Sequence, residues 1–312
     1  MTTLLYLLMI FIWGFSWIAI KWQQGDVAME VSILYRFGLA AIIMFSIGKL
    51  FNKLQVVRGC DHKFFVLQGL CLFCCNFLFF YSSTFYIASG LTAVIMATAP
   101  IFNAFHGRCF YRIKANQNFW LGIAIGLAGI TSLFIKDLLQ TAWSEEVVLG
   151  LCYALLGTWC FSLGNMISLR NSQNNIQPYT ATSYAMVYGC IALLVIIAFK
   201  GLTFELTFNS RYLVSLLYLA IPASVIGFTV YLTLVDRIGA NYTAYLMVFT
   251  PVVALLVSSI FEDYQWTRLS TLGLCCVLLG SIISQIKKPL VSWLFEFLLF
   301  NKKSKSVLEI IK

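Results

Sequence analysis

Apolar residues in this chain come in long blocks broken by short polar stretches, without the two-residue alternation of a half-buried strand. About 20 apolar residues at a rise of about 1.5 Å cross a hydrocarbon core of about 30 Å. The blocks predict ten membrane helices, over residues 4–22, 31–51, 64–86, 88–107, 119–136, 147–169, 179–199, 212–235, 240–260 and 269–286. Unpaired backbone groups are not tolerated in hydrocarbon, so spans are helices or a closed barrel, and unbroken apolar blocks favour helices.

A second pattern overlies the first. Gly38, Ala41, Ile87, Thr92, Ala93, Met96, Pro100, Leu121, Gly122, Leu127 and Gly129 recur 151 residues later. Their counterparts are Gly189, Ala192, Ile238, Thr243, Ala244, Met247, Pro251, Leu272, Gly273, Leu278 and Gly280. Trp13, Phe15 and Ser16 recur at Trp159, Phe161 and Ser162, a distance of 146. The five-residue difference falls in the loop after the first helix of each copy, where insertions are cheap. The chain therefore reads as a first repeat over 1–137, a second over 147–287, and a tail over 288–312. Five helices per repeat is an odd number, so the second copy enters the membrane from the opposite side and the repeats are inverted. The fold class expected is all-α integral membrane, with ten transmembrane helices in two inverted five-helix repeats. Inverted repeats mark secondary transporters, with the substrate site between the halves.

Composition agrees with lipid as the solvent. The chain is 61% hydrophobic and 11% charged, against about 25% charged in soluble domains. Its cations are unevenly placed. With the N-terminus in the cytoplasm, the inner loops and tail hold Lys49, Lys53, Arg58, Lys63, Arg108, Arg112, Lys114, Arg170, Arg237, Lys287, Lys288, Lys302, Lys303, Lys305 and Lys312. The outer side holds Lys21, Lys136, Lys200, Arg211 and Arg268. That bias predicts both termini in the cytoplasm. The net charge of +9 then reflects topology and anionic inner-leaflet lipid, not nucleic-acid binding. The first apolar block has no basic leader and no small-residue cleavage site, and reads as a retained helix. Cys71 and Cys74 have redox-motif spacing but lie mid-span, where cysteine serves as a small apolar packing residue. No cofactor or metal is called for.

The residues that punctuate the spans resemble a known family. Trp13-Gly14-Phe15-Ser16-Trp17 with Lys21, Arg36-Phe37-Gly38-Leu39-Ala40-Ala41, and Ala88-Ser89-Gly90-Leu91-Thr92-Ala93 leading to Pro100 are similar to its opening motifs. Trp120-Leu121-Gly122 through Gly126-Leu127-Ala128-Gly129 resembles its fifth helix. Taken in order, these resemble the EamA-type branch of the drug/metabolite transporter superfamily over residues 4–286. The resemblance implies a permease of the bacterial inner membrane that exports or exchanges small metabolites. The family often has a Glu shortly before its fifth and tenth helices. Glu262 fills the second place, and Tyr111-Arg112-Ile113 occupies the first.

Several residues carry candidate chemistry. Pro100 and Pro251 stand at matched places within spans, where each would free the carbonyl of Met96 or Met247. They are either packing features or a symmetric pair of hinges. Arg36 either snorkels to the outer interface or faces the interior and attracts an anionic or zwitterionic group. Lys21 lies at a helix end, where snorkelling is favoured. Trp13, Ser16, Trp17, Asn76, Tyr81, Thr92, Trp159, Asn165, Tyr231, Tyr242 and Tyr245 either line a substrate pathway by stacking and hydrogen bonding or serve as interfacial belts and helix glue. No Asp or Glu falls deep in a span, and His62 and His106 lie near the cytoplasmic surface. A proton relay is thus missing, which favours exchange or facilitated diffusion. In the tail, Leu290, Val291, Trp293, Leu294, Phe297 and Leu298 predict an amphipathic helix on the inner leaflet.

The reading is of a secondary transporter of a small amino-acid-like, amphipathic or anionic metabolite, working by alternating access. The competing readings are a membrane assembly or regulatory protein that does not transport, and a membrane-embedded enzyme. The expected partners are a small-molecule substrate and the lipid bilayer.

Overall fold

The computed structural model describes residues 2–25, 27–112, 117–140, 145–238 and 246–286. Among these residues the regular structure is entirely helical, with no strand. The helices are α1 (Thr2–Trp22), α2 (Met29–Leu50), α3 (Gly59–Tyr86), α4 (Ser89–Met96), α5 (Ala99–Tyr111) and α6 (Gln117–Gln140). They continue as α7 (Glu145–Gln173), α8 (Pro178–Lys200), α9 (Ser210–Tyr218, Leu219–Ile226 and Gly227–Ile238 in one run), α10 (Leu246–Phe261) and α11 (Arg268–Gln285). Among the described residues, six stretches are long and apolar enough to cross a membrane: α1, α2, α3, α7, α8 and Ser210–Tyr231 of α9. Gln117–Leu133, Phe249–Phe261 and Arg268–Ser284 are shorter apolar helices. Large apolar side chains such as Leu4, Ile42, Phe110, Trp120, Leu127 and Phe199 lie exposed on the outside of the bundle. In water such a surface would aggregate, so it requires lipid.

The expected block 88–107 is not one helix. It is α4 and α5, separated at Ala97 and Thr98, with Pro100 the second residue of α5. A proline suits a helix start, where its missing amide has no partner to lose. Pro251, its match in the second half, lies inside the continuous helix α10. The two prolines thus occupy equivalent sequence positions in different local structures. Tyr242, Tyr245 and the tail over 288–312 lie outside the described residues.

Two segments are wound more widely than an α-helix, as π-helix: Leu70–Cys75 in α3 and Leu219–Ile226 in α9. A shift of 151 lays the first onto residues 221–226 of the second. Pro222 lies in the second, and Cys71 holds the equivalent place in the first. Ser224 takes up one loosened carbonyl, its hydroxyl donating to Leu219 O at 2.8 Å. π segments inside helices occur frequently at functional sites.

Contacts between the halves are reciprocal. The π segment of α3 packs on α8 and α7, and that of α9 packs on α2 and α1. The crossing of α6 and α11 is made by glycines. A Cβ on Gly122 or Gly280 would stand 2.6 Å from the other's carbonyl oxygen, and Gly129 and Gly273 are related in the same way at 2.7 Å. Small residues let membrane helices approach this closely. The largest buried side chains, including Phe37, Met44, Phe73, Phe80, Tyr81 and Met186, fill the space between α2, α3 and α8.

Candidate functional site

At the end of the bundle where α1 and α3 finish and α9 begins there is a cavity of about 600 Å³. Lys21, Trp22, Gln24, Tyr86, Arg211, Tyr212, Phe261 and Glu262 are among its lining. Its walls are built by helix ends. Glu262, just past α10, accepts the backbone N–H of Ser89 at 3.1 Å and the hydroxyls of Ser89 and Ser258. Ser258 Oγ accepts the Gly90 N–H at 2.8 Å. The first amides of α4, which have no partners within their own helix, are thus capped from α10. The Lys21 ammonium donates to the Thr84 carbonyl and lies within electrostatic reach of Glu262. Arg211 stacks over Trp22 at 5.7 Å, and Trp22 meets Phe261 edge-on at 5.4 Å.

Behind that wall lies a polar chain. Gln24 Nε2 donates to Thr84 Oγ1 at 2.6 Å and to the Tyr81 carbonyl at 3.2 Å. The Tyr81 hydroxyl donates to Gln23 Oε1 at 2.5 Å. Arg36 is only 5% exposed, buried within the bundle. Its Nε donates to Ser224 Oγ at 3.3 Å, so the π segment of α9 supplies a partner. Its guanidinium lies within electrostatic reach of the Tyr81 hydroxyl and over the rings of Phe77 at 4.5 Å and Phe37 at 4.8 Å. Ser32, one turn before Arg36, pairs with the cavity-lining Tyr212 at 2.9 Å.

The structure brings together Lys21, Arg36 and Tyr81 of the sequence-predicted residues, with Trp17 packed nearby on Phe80 at 5.3 Å. Trp13 donates to the Ala223 carbonyl at 3.1 Å and packs on Tyr231 at 5.5 Å, while Ser16 donates to the Trp13 carbonyl. Asn76 is buried in α3. Thr92 pairs with Ser83 at 2.9 Å, a helix-to-helix contact away from the cavity lining. Trp159 and Asn165 lie on α7 and meet a separate group, with His106 4.4 Å from Trp159 and Asn103 3.4 Å from Asn165. Gln23, Gln24 and Ser224 are functional candidates that only the structure brings out. The only sequence signal was the Gln23-Gln24 pair closing the first apolar block.

At the opposite end of the bundle the helices are joined. Arg170 pairs with Asp61 at 2.8 Å, and Asn171 donates to Gln68 at 2.8 Å, tying the end of α7 to the start of α3.

A multi-pass membrane bundle with a polar cavity entering from one end fits the class of membrane transporters, and known proteins similar to this chain are named as transporters. It is 22% identical over 290 residues to the Probable amino-acid metabolite efflux pump of Escherichia coli (strain K12), covering 90% of this chain and 93% of that one. It is 26% identical over 243 residues to the Uncharacterized transporter YyaM of Bacillus subtilis (strain 168), covering 76% and 78%. A solved crystal structure shares the fold, with a TM-score of 0.61 at 13% identity over 91% of this chain and 96% of that one. The chain matches the EamA-like transporter family over residues 1–135 and again over 148–285, and it belongs to that family.

Proposed function

We propose that this protein is a secondary transporter that carries a small amino-acid-like, amphipathic or anionic metabolite out of the cell, by export or exchange. Ten helices cross the membrane as two inverted five-helix repeats, 1–137 and 147–287, with both termini in the cytoplasm. The cavity then opens to the outside, and the Arg170–Asp61 end is the closed cytoplasmic side. Alternating access is a rocking of the two halves that exchanges these roles. The reciprocal packing of the π segments and of the α6·α11 glycines supports the inverted arrangement, since a two-fold axis in the membrane plane generates such pairs.

The observation that carries the reading is Arg36. A charge in hydrocarbon is expensive, and such residues mark solute pathways. Arg36 is buried behind the cavity wall with Ser224, Tyr81 and two aromatic rings, and no carboxylate is paired with it among the described residues. An anion bound there moves outward down an inside-negative membrane potential, worth about 2.3 kcal/mol per charge per 100 mV. Outward transport then needs no proton relay. Trp13, Ser16, Trp17, Lys21, Asn76, Tyr81, Thr92, Trp159, Asn165, Tyr231, Tyr242 and Tyr245 remain the proposed pathway, with Pro100 and Pro251 as hinges.

Proteoliposomes loaded with a mixture of amino acids and organic acids test the proposal. Efflux of at least one member is expected above that of empty liposomes, and it should rise when valinomycin and a potassium gradient set the interior negative. No protein-dependent flux of any member would overturn the reading. Reporter fusions should place both termini in the cytoplasm and the 137–146 loop outside, and a C-terminal reporter active outside would reverse the assigned orientation.

A further inference from the structure

Among the described residues, four buried side-chain atoms lack a hydrogen-bond partner: Gln23 Nε2, Arg36 Nη1, Asn76 Oδ1 and His106 Nε2. Two of them belong to residues linked to the Tyr81 hydroxyl, Gln23 by a hydrogen bond and Arg36 electrostatically. The Arg36 guanidinium lies within electrostatic reach of the Tyr81 hydroxyl, whose proton goes to Gln23 Oε1. That direction identifies the remaining Gln23 atom as the amide NH₂. Both open groups beside Tyr81 are therefore donors, and what they lack is an acceptor. Donors held in the interior without one are costly, so the place is built for an occupant. The positive charge of Arg36 makes the favoured occupant an anion, and the planar two-oxygen carboxylate suits a fork donor with a second N–H beside it.

The carboxylates point the same way by their engagement. Buried Glu30 is paired with Lys200 at 2.6 Å, and buried Asp61 with Arg170 at 2.8 Å. Glu262 accepts from Ser89 and Ser258 and lies near Lys21. Among the described residues no buried carboxylate is left to receive an ammonium. The rings of Phe37 and Phe77 flank the guanidinium, which sets an apolar body beside the charge.

We infer that the carried solute is a monocarboxylate with an apolar body and no ammonium group, its carboxylate held between Gln23 Nε2 and Arg36 Nη1 beside Tyr81. This rests on the transporter reading and narrows its substrate class. The cluster is joined to the cavity wall through Gln24 and Tyr212, which line the cavity and bond to the Tyr81 carbonyl and to Ser32, one turn from Arg36.

The test uses the purified full chain and matched probes: phenylpropionate with phenylalanine and phenylethylamine, and hexanoate with norleucine and pentylamine. Ligands that bind the folded state raise its melting temperature by an amount that grows with the ratio of ligand concentration to Kd. Stabilisation by at least one carboxylate is expected, with its counterparts weaker by about tenfold or more, the amine because it lacks the carboxylate and the amino acid because its ammonium is buried without an acceptor. Arg36→Gln and Gln23→Leu should each weaken carboxylate binding by about tenfold. If the Arg36 variant does not fold, Gln23→Leu carries the test alone, since it removes the second donor without touching a charge. The inference is overturned if no carboxylate stabilises the protein, if amino acids or amines do so as well, or if Gln23→Leu binds carboxylates like the parent. Amino-acid flux in proteoliposomes that persists in Arg36→Gln would discard this site and leave the transporter reading standing, whereas absence of all flux would discard the transporter reading itself.

Discussion

Gly122 of α6 lies so close to Gly280 of α11 that a methyl group on either would stand 2.6 Å from the other's carbonyl oxygen. Gly129 and Gly273 repeat the relationship at 2.7 Å, and these four positions are the two 151-residue pairs of the sequence repeat. Gly122→Ala and Gly280→Ala should each destabilise the protein by about 1–3 kcal/mol, the cost of overpacking a close contact. Gly38→Ala serves as the contrast, because a Cβ there meets nothing within 4 Å. It should be neutral or stabilising by up to about 1 kcal/mol. Thermal unfolding in detergent, followed by tryptophan fluorescence, measures all three. Equal melting of Gly122→Ala and the parent would mean that α6 and α11 do not meet as described.

Glu262 acts as a helix cap supplied by another helix. Glu262→Ala leaves the Ser89 amide without its acceptor and should cost about 1–2 kcal/mol. Glu262→Gln keeps one acceptor oxygen and should lose less. The order of melting temperatures, parent above Gln above Ala, checks the assignment, and a reversed order of Gln and Ala would remove the capping role.

The Arg170–Asp61 pair joins α7 to α3 at the end opposite the cavity. Asp61→Asn removes a partly buried ion pair worth about 1 kcal/mol, which is about a fivefold change in the ratio of the two access states. Single-cysteine probes at each mouth, in a cysteine-depleted background, should label more at the α7 end and less at the cavity end. Unchanged labelling at both mouths would assign the pair to stability alone.

The matched prolines should differ in effect. Pro251 lies inside α10, so Pro251→Ala restores an amide donor within a helix and should stiffen it, raising thermal stability and slowing turnover. Pro100 is at the start of α5, so Pro100→Ala should change stability by well under 1 kcal/mol. Its effect on turnover comes through the α4–α5 interruption. The shifts in access state should run in opposite directions in the two variants. Parental turnover and labelling in both would leave the prolines as packing features.

Much of the helix layout was legible because it depends on local sums. An apolar block reports its span through composition, and α1, α2 and α8 follow the expected limits within a few residues. The π segments were not legible in the same way. Pro222 is a signal in α9, but nothing in Leu70–Cys75 of α3, which packs against α8 and α7, distinguishes it from ordinary helix. The α4–α5 interruption is similar, since an equivalent proline in α10 leaves the helix continuous.

By itself the sequence determined the apolar blocks, the 151-residue register, and the polar residue types that a membrane interior would have to accommodate. These follow from hydrocarbon thickness and from composition summed along one segment. Only the tertiary structure decided that Gln23, Arg36, Tyr81 and Ser224 meet, while Trp159 and Asn165 join another group. Those meetings depend on how each helix is rotated about its axis and how closely it approaches its neighbour. Both are set by side-chain shape at contacts such as Gly122 against Gly280, between residues far apart in the chain.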